Sequence, residues 1–333
     1  AHSHGRDATI AGVTLARGRF APTPSGALHV GSARTALASA LAAWRDGGRW
    51  ILRVEDLDVV RSSTRPIEAM YEDLAWLGLA WDEGPGAQEP HAPYRQSARA
   101  ELYREALALL RGRGLVYPCG CSRREVEAAS RAPHGAEAVY PGTCRGRDPA
   151  AVEREAAARG RGVAWRFAVD PAREAVTVRD AVAGDFTQDV AREVGDFVVA
   201  RADGVAAYQL AVVVDDIAMA VTEVVRGDDL LASTPRQVLL YEAFGAPPPR
   251  WAHLPLVLGR DGERLAKRLG AMGLAELRAR GHDPARLRAE LLASLGVSDA
   301  AGTLRDLARG FDLAAVPRIS PRWNVARTAL EAS

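Results

Sequence analysis

Three stretches of the sequence hold residues whose types and spacing point to chemistry. The first is Arg19-Phe20-Ala21-Pro22-Thr23-Pro24-Ser25-Gly26-Ala27-Leu28-His29-Val30-Gly31, a strand that stops at a double-proline turn and restarts as a helix. Helix N-termini attract phosphate, because unpaired backbone N–H groups and the positive end of the dipole meet there. His29 can donate a hydrogen bond to a phosphate oxygen, and Gly31 lets the backbone approach a ligand closely. The second is Lys267, the one lysine among 43 basic residues. Where arginine supplies every other positive charge, a lone lysine marks a place that needs a compact ammonium rather than a planar guanidinium. The third is Cys119-Gly120-Cys121 with Cys144, the three cysteines of the chain. An odd count in so short a stretch argues against a disulfide framework and for a metal site or buried thiols. Three thiolates leave one corner of a tetrahedral zinc site open, with His134 and Tyr140 as local candidates; spacing alone favours His134, the commoner ligand type.

The elements that must position these groups read as an α/β fold. Strands are expected over residues 17–21 and 50–54, with an alanine- and leucine-rich helix over 30–45 between them. That is a βαβ unit, so a Rossmann-like parallel sheet is the leading fold. Helices over 66–77 and 98–113 continue the first half of the sheet domain, residues 1–115. Residues 116–196 change character and read as an inserted zinc-containing α/β subdomain, with a helix at 149–159 and strands at 165–169 and 175–178. The sheet is expected to resume over 197–257, with strands at 197–201, 208–214 and 220–225. A helix capped by Ser233 or Thr234, with Pro235 in its first turn, follows. Residues 258–333 read as a loop around Lys267 and a helical C-terminal segment, with helices at 284–295, 304–308 and 321–329.

Bulk properties narrow the class. At 333 residues the chain buries a sizeable core, and 48% hydrophobic with 26% charged residues is ordinary for a globular enzyme. The longest apolar run, residues 210–225, is interrupted by Asp215 and Asp216, so no membrane span is expected. The N-terminus shows no basic-then-apolar signal segment, and a cytoplasmic location is the expectation. A net charge of +1 gives no global pull on nucleic acid, so an RNA partner must meet local basic surface.

In sequence order, the chain resembles the class I aminoacyl-tRNA synthetases, specifically the glutamyl group. Leu28-His29-Val30-Gly31 is similar to that class's HIGH signature, and Arg264-Leu265-Ala266-Lys267-Arg268 to its KMSKS loop. Val54-Glu55-Asp56, Tyr94-Arg95-Gln96-Ser97, Tyr208-Gln209-Leu210, Val214-Asp215-Asp216, Val225-Arg226-Gly227-Asp228 and Ser233-Thr234-Pro235-Arg236 belong to the same resemblance. Arg264 and Ala266 depart from the loop pattern, which commonly has lysine and serine there. The resemblance implies that His29, Gly31 and Lys267 bind ATP, with His29 and Lys267 catalytic, and that Mg²⁺ accompanies the nucleotide. It places L-glutamate on Arg19, Phe20, Ala21, Pro22, Thr23, Glu55, Tyr208 and Arg226. Arginine pairs bidentately with carboxylate, and Glu55 suits the ammonium.

Within the group, the shorter glutamyl-queuosine tRNA(Asp) synthetases show Cys-x-Cys followed by Tyr-x-x-x-Cys, as in Tyr140-Pro141-Gly142-Thr143-Cys144. That resemblance selects Tyr140 as the fourth ligand to one structural Zn²⁺, beside Cys119, Cys121 and Cys144. About 65 residues follow Arg268, few for a helical anticodon-binding region, and Leu230 stands where full-length enzymes commonly have tryptophan. The implied activity is formation of glutamyl-adenylate and transfer of glutamate to queuosine in the anticodon of tRNA(Asp). The alternative is a truncated glutamyl-tRNA synthetase that charges the 3′ end of tRNA(Glu).

Overall fold

The computed structural model describes residues 9–10, 13–24, 26, 28–57, 64–129, 139–259, 262, 273–324 and 329–331. Lys267, with Arg264, Ala266 and Arg268, lies outside the described residues, as do Ser25, Ala27 and His134. The main sheet is built from β1 (Arg17–Phe20), β2 (Arg49–Leu52), β3 (Val176–Asp180), β4 (Gly184–Gln188), β5 (Glu223–Gly227) and β6 (Arg250–Leu254). Their order across the sheet is β2-β1-β5-β6-β3-β4. The pairs β2·β1, β1·β5, β5·β6 and β6·β3 are parallel, and β3·β4 is an antiparallel hairpin at the edge. The sheet is therefore mixed, where the sequence reading expected a parallel one. The hairpin of residues 176–188, which falls in the stretch read as an insertion, extends this sheet through the Trp251·Asp180 pairing.

Two crossovers meet at the centre. Helix α1 (Val30–Trp44) joins β1 to β2, and helix α3 (Thr234–Phe244) joins β5 to β6. Because these units run outward from neighbouring strands β1 and β5, the carboxyl ends of those two strands flank a crevice, where open α/β sheets bind ligands. The alanines of α1 bring it close to the sheet: a Cβ at Gly18 would stand 2.9 Å from the Ala43 Cβ. Nearly every residue of α1 is buried, with Leu37 and Leu41 packed against Trp50 and Leu52 in one core.

Three expected elements differ. Residues 208–214, read as a strand, begin helix α2 (Tyr208–Ala218). Leu210 through Asp216 are all buried, so the helix carries no exposed polar stripe and its apolar run mimics a buried strand. Residues 197–201 do not rejoin the main sheet: Phe197–Ala200 pairs with Ala164–Phe167, which pairs with Val116–Cys119, in a separate antiparallel sheet. Residues 321–329, read as helical, instead provide the strand Arg322–Asn324, which runs parallel to Leu258–Gly259 and antiparallel to Ala329–Glu331. The fully buried Trp323 fixes that register by facing the core.

Candidate active site

The crevice opens into a cavity of about 660 Å³. Arg19, Phe20, Ala21, Pro22 and Thr23 enter it from the end of β1, and His29 and Gly31 from the start of α1. Glu55 comes from beyond β2, Tyr208 from the first turn of α2, and Arg226 from the end of β5. All the residues assigned to glutamate, and those of the helix N-terminus assigned to ATP, thus line one space. Leu230, Leu254 and Val257 complete its wall.

His29 is the N-cap of α1. Its Nδ1 accepts from the Ser32 backbone N–H at 3.2 Å, which leaves the ring proton on Nε2, 3.1 Å from Ser32 Oγ. A Cβ at Gly31 would lie 3.1 Å from the His29 ring, so glycine there keeps the imidazole in place. The residues before it are tied to Gly273 and Leu274, which follow the Lys267 stretch in sequence. Leu274 N–H donates to Leu28 C=O at 2.7 Å, and Gly273 bridges His29. Leu256 and Val257, which precede the Lys267 stretch in sequence, also line the cavity.

Asp73, fully buried, accepts from Leu28 N–H at 3.3 Å and faces Arg278 at 3.5 Å. Burial pushes its carboxyl up to about 6, against the pull of Arg278. From the ordinary carboxylate range up to about pH 6, the folded protein therefore holds a proton that the unfolded chain has lost, and stability falls as pH rises through that window. Asp73→Asn keeps an acceptor for Leu28 and removes the titration. Thermal unfolding of both proteins from pH 4 to 8 is expected to show the parent losing ground to the variant across that window; parallel curves would refute this.

Arg19 and Glu55, which line the cavity, are joined behind it to a charge network that the sequence reading did not assemble. Arg53, fully buried, donates to Asp216 at 2.5 Å and to Glu55 at 2.9 Å. Arg19 Nε lies 3.5 Å from Asp216. Asp215, one residue earlier, accepts from Arg99 Nε at 2.6 Å, Gln96 at 2.8 Å and Tyr103 OH at 2.9 Å. Asp56 accepts from both N–H and Oγ of Ser97. Short motifs far apart in sequence are therefore partners in space. Burial raises the Glu55 carboxyl, while Arg53 and Arg19 hold it down. Charges inside apolar runs, Arg53 in residues 50–54 and the pair Asp215-Asp216 in α2, were the available signal, since a buried charge requires a partner.

Arg226 is held differently. It is buried, donates from Nε to His253 at 2.9 Å and from Nη2 to Thr234 Oγ1 at 2.9 Å, and its Nη1 is 3.4 Å from Tyr208 OH. Its guanidinium lies over Trp251 at 4.9 Å. Among the described residues no carboxylate forms an ion pair with it, and burial lowers its pKa. A desolvated cation with neutral partners at a cavity wall is a ready receptor for an anion. Thr234, expected as a helix cap, spends its hydroxyl on this guanidinium instead.

The cysteines form a separate cluster that does not line the cavity. The three sulfurs lie within 4.8 Å of one another, with Cys121 and Cys144 at 3.6 Å. Tetrahedral zinc at a Zn–S distance of about 2.3 Å separates sulfurs by roughly 3.8 Å. Tyr140 OH is 3.3 Å from Cys119 Sγ and 3.9 Å from Cys121 Sγ, and accepts from Cys144 N–H at 2.9 Å. The donor set fits a tetrahedral cation. Burial and its thiol neighbours push Cys121 up to about 12, a shift that a divalent cation would reverse.

The family model for the catalytic domain of class I tRNA synthetases (E and Q) matches residues 16–308. The chain belongs to this family. The synthetase is 53% identical to the glutamyl-Q tRNA(Asp) synthetase of Symbiobacterium thermophilum, over 90% of its own length and 94% of the relative's. It is 50% identical to the protein of that name from Deinococcus radiodurans, over 84% and 88% of the two chains. Within the family it groups with these glutamyl-Q tRNA(Asp) synthetases. Its fold matches the crystal structure of a glutamate tRNA ligase from Elizabethkingia meningosepticum in complex with its amino acid, at a TM-score of 0.82 and 29% identity. That match covers 94% of the synthetase and 68% of the ligase. Among the described residues no helix is long and apolar enough to cross a membrane.

Proposed function

We propose that this synthetase activates L-glutamate with ATP and transfers it to the queuosine base in the anticodon of tRNA(Asp). The observation that carries the glutamate reading is the charge pattern of the cavity. Two buried guanidinium groups, Arg19 and Arg226, and one buried carboxylate, Glu55, surround a space at a helix N-terminus. An acidic amino acid brings two carboxylates and one ammonium, the complement of that set. The relatives' names supply the acceptor.

In the activation step an oxygen of the glutamate α-carboxylate bonds to the α-phosphorus of ATP, and the bond to pyrophosphate breaks. The substrate supplies the nucleophile, so the protein aligns two anions and stabilises charge on phosphorus. His29, with its proton on Nε2, donates to phosphate, and α1 presents its N-terminus. Lys267 supplies the ammonium from a loop whose flanks, Val257 and Gly273, border the cavity and His29. Mg²⁺ arrives with ATP. The two sheet halves, together with the edge hairpin of residues 176–188, act as the catalytic unit, and the separate antiparallel sheet of Val116–Cys119, Ala164–Phe167 and Phe197–Ala200 carries the inserted segment.

ATP–pyrophosphate exchange without RNA tests the activation step. Exchange should depend on L-glutamate and fail with L-glutamine, whose neutral amide leaves a buried guanidinium unpaired. Equal exchange with both would sink the assignment. Cys119, Cys121, Cys144 and Tyr140 are assigned to one structural Zn²⁺ that orders the segment around them. Elemental analysis should find about one zinc per chain, and Cys144→Ser should weaken retention by at least about 10-fold and lower the unfolding temperature. A zinc-free parent protein would contradict that assignment.

A further inference from the structure

Arg226, His253 and Asp180 sit on three neighbouring strands, β5, β6 and β3. Arg226 pairs with His253 across β5·β6, and Trp251, two residues before His253, pairs with Asp180 across β6·β3. Their side chains form a line leading away from the cavity. Arg226 Nε donates to His253 Nε2 at 2.9 Å, and His253 Nδ1 meets Asp180 Oδ2 at 2.6 Å. The side chains of His253 and Asp180 are completely shielded from solvent.

The protonation pattern follows from these contacts. An Arg226 N–H pointing at Nε2 requires a lone pair there, and a carboxylate at Nδ1 requires a proton there. The imidazole is therefore neutral with its hydrogen on Nδ1. Burial and the field of Arg226 also lower the His253 pKa. A carboxylate in direct contact with Arg226 would neutralise it and compete with an anionic ligand. An imidazole between the two fixes the guanidinium while leaving its charge to the cavity.

We propose that Asp180 and His253 are positioning residues that aim Arg226 at the substrate carboxylate by locking the imidazole in its Nδ1–H tautomer. This rests on the reading that Arg226 binds glutamate. Neither residue lines the cavity, so both act through Arg226.

The surroundings of Asp180 provide a selective test. Its Oδ1 accepts three backbone N–H groups, from Val182 at 3.0 Å, Ala183 at 2.8 Å and His253 at 3.0 Å. In Asp180→Asn that position must stay an oxygen, so the new NH₂ faces His253 Nδ1. The ring must then accept at Nδ1 and carry its proton on Nε2, against the Arg226 N–H. Two opposed buried donors are expected to raise KM for glutamate about 10-fold or more in exchange kinetics, with KM for ATP changed less than about 2-fold. Adding His253→Gln to that variant restores a carbonyl acceptor for Arg226 and should recover most of the loss.

Unchanged glutamate KM in a folded Asp180→Asn protein would overturn the proposal, as would no recovery in the double variant, which would mean that packing alone matters. Should Asp180→Asn fold poorly, His253→Gln and His253→Phe replace it. The first should stay within about 3-fold of the parent and the second lose about 10-fold in KM; equal values overturn the proposal. Imidazole ¹⁵N shifts, assigned by their disappearance in His253→Gln, read the tautomer without any substrate. A parent Nδ1–H signal that becomes Nε2–H in Asp180→Asn supports the lock even if the glutamate reading fails, and a parent Nε2–H signal refutes it.

Discussion

Arg226→Ala is expected to lower kcat/KM for glutamate in ATP–pyrophosphate exchange by about 10³-fold, while KM for ATP stays near its parent value. The size follows from desolvation: a carboxylate brought into this wall without the guanidinium loses its hydration and gains no partner. The variant should remain folded, because the partners left behind are neutral. His253 loses a donor, Thr234 and Tyr208 lose a contact, and no carboxylate is stranded. Arg53 makes the contrast clear. Replacing it would leave Asp216, Asp215 and Glu55 facing one another without their shared cation, and the fold itself would suffer. Thermal unfolding beside steady-state kinetics separates the two cases. An Arg226→Ala protein with near-parent glutamate kinetics would remove Arg226 from the substrate site.

Lys267→Ala is expected to slow adenylate formation by about 10²- to 10³-fold with little change in KM for glutamate. The expectation comes from composition as much as from resemblance. Arginine fills the other 42 basic positions, so a retained lysine points to a task that guanidinium does not perform. Lys267→Arg should accordingly remain slow, even though charge is conserved. Rapid-quench measurement of the first turnover checks both variants, and a parent-like rate for Lys267→Arg would show that charge alone suffices.

The parts of the site that were legible in sequence are those that short segments carry by themselves. A strand end followed by a turn and a helix start puts Arg19 to Thr23, His29 and Gly31 on one rim without knowledge of the rest. Arg226 and Glu55 were legible for the same reason, each lying just at or beyond a strand end. What stayed hidden are pairings that the fold alone creates. Arg53 meets Asp216, and Asp180 meets His253, across separations of 163 and 73 residues. The edge hairpin was hidden too, because strands with ordinary alternation do not announce which sheet they join. Helix α2 misread as a strand for a physical reason: burial on every side erases the periodicity that distinguishes the two.

The most direct test of the account is the choice of RNA acceptor. The enzyme is incubated with ATP, labelled L-glutamate and, separately, tRNA(Asp) with queuosine, tRNA(Asp) without it, and tRNA(Glu). Label should accumulate on the queuosine-bearing tRNA(Asp) alone. Label on tRNA(Glu), or on tRNA(Asp) that lacks queuosine, would contradict the account.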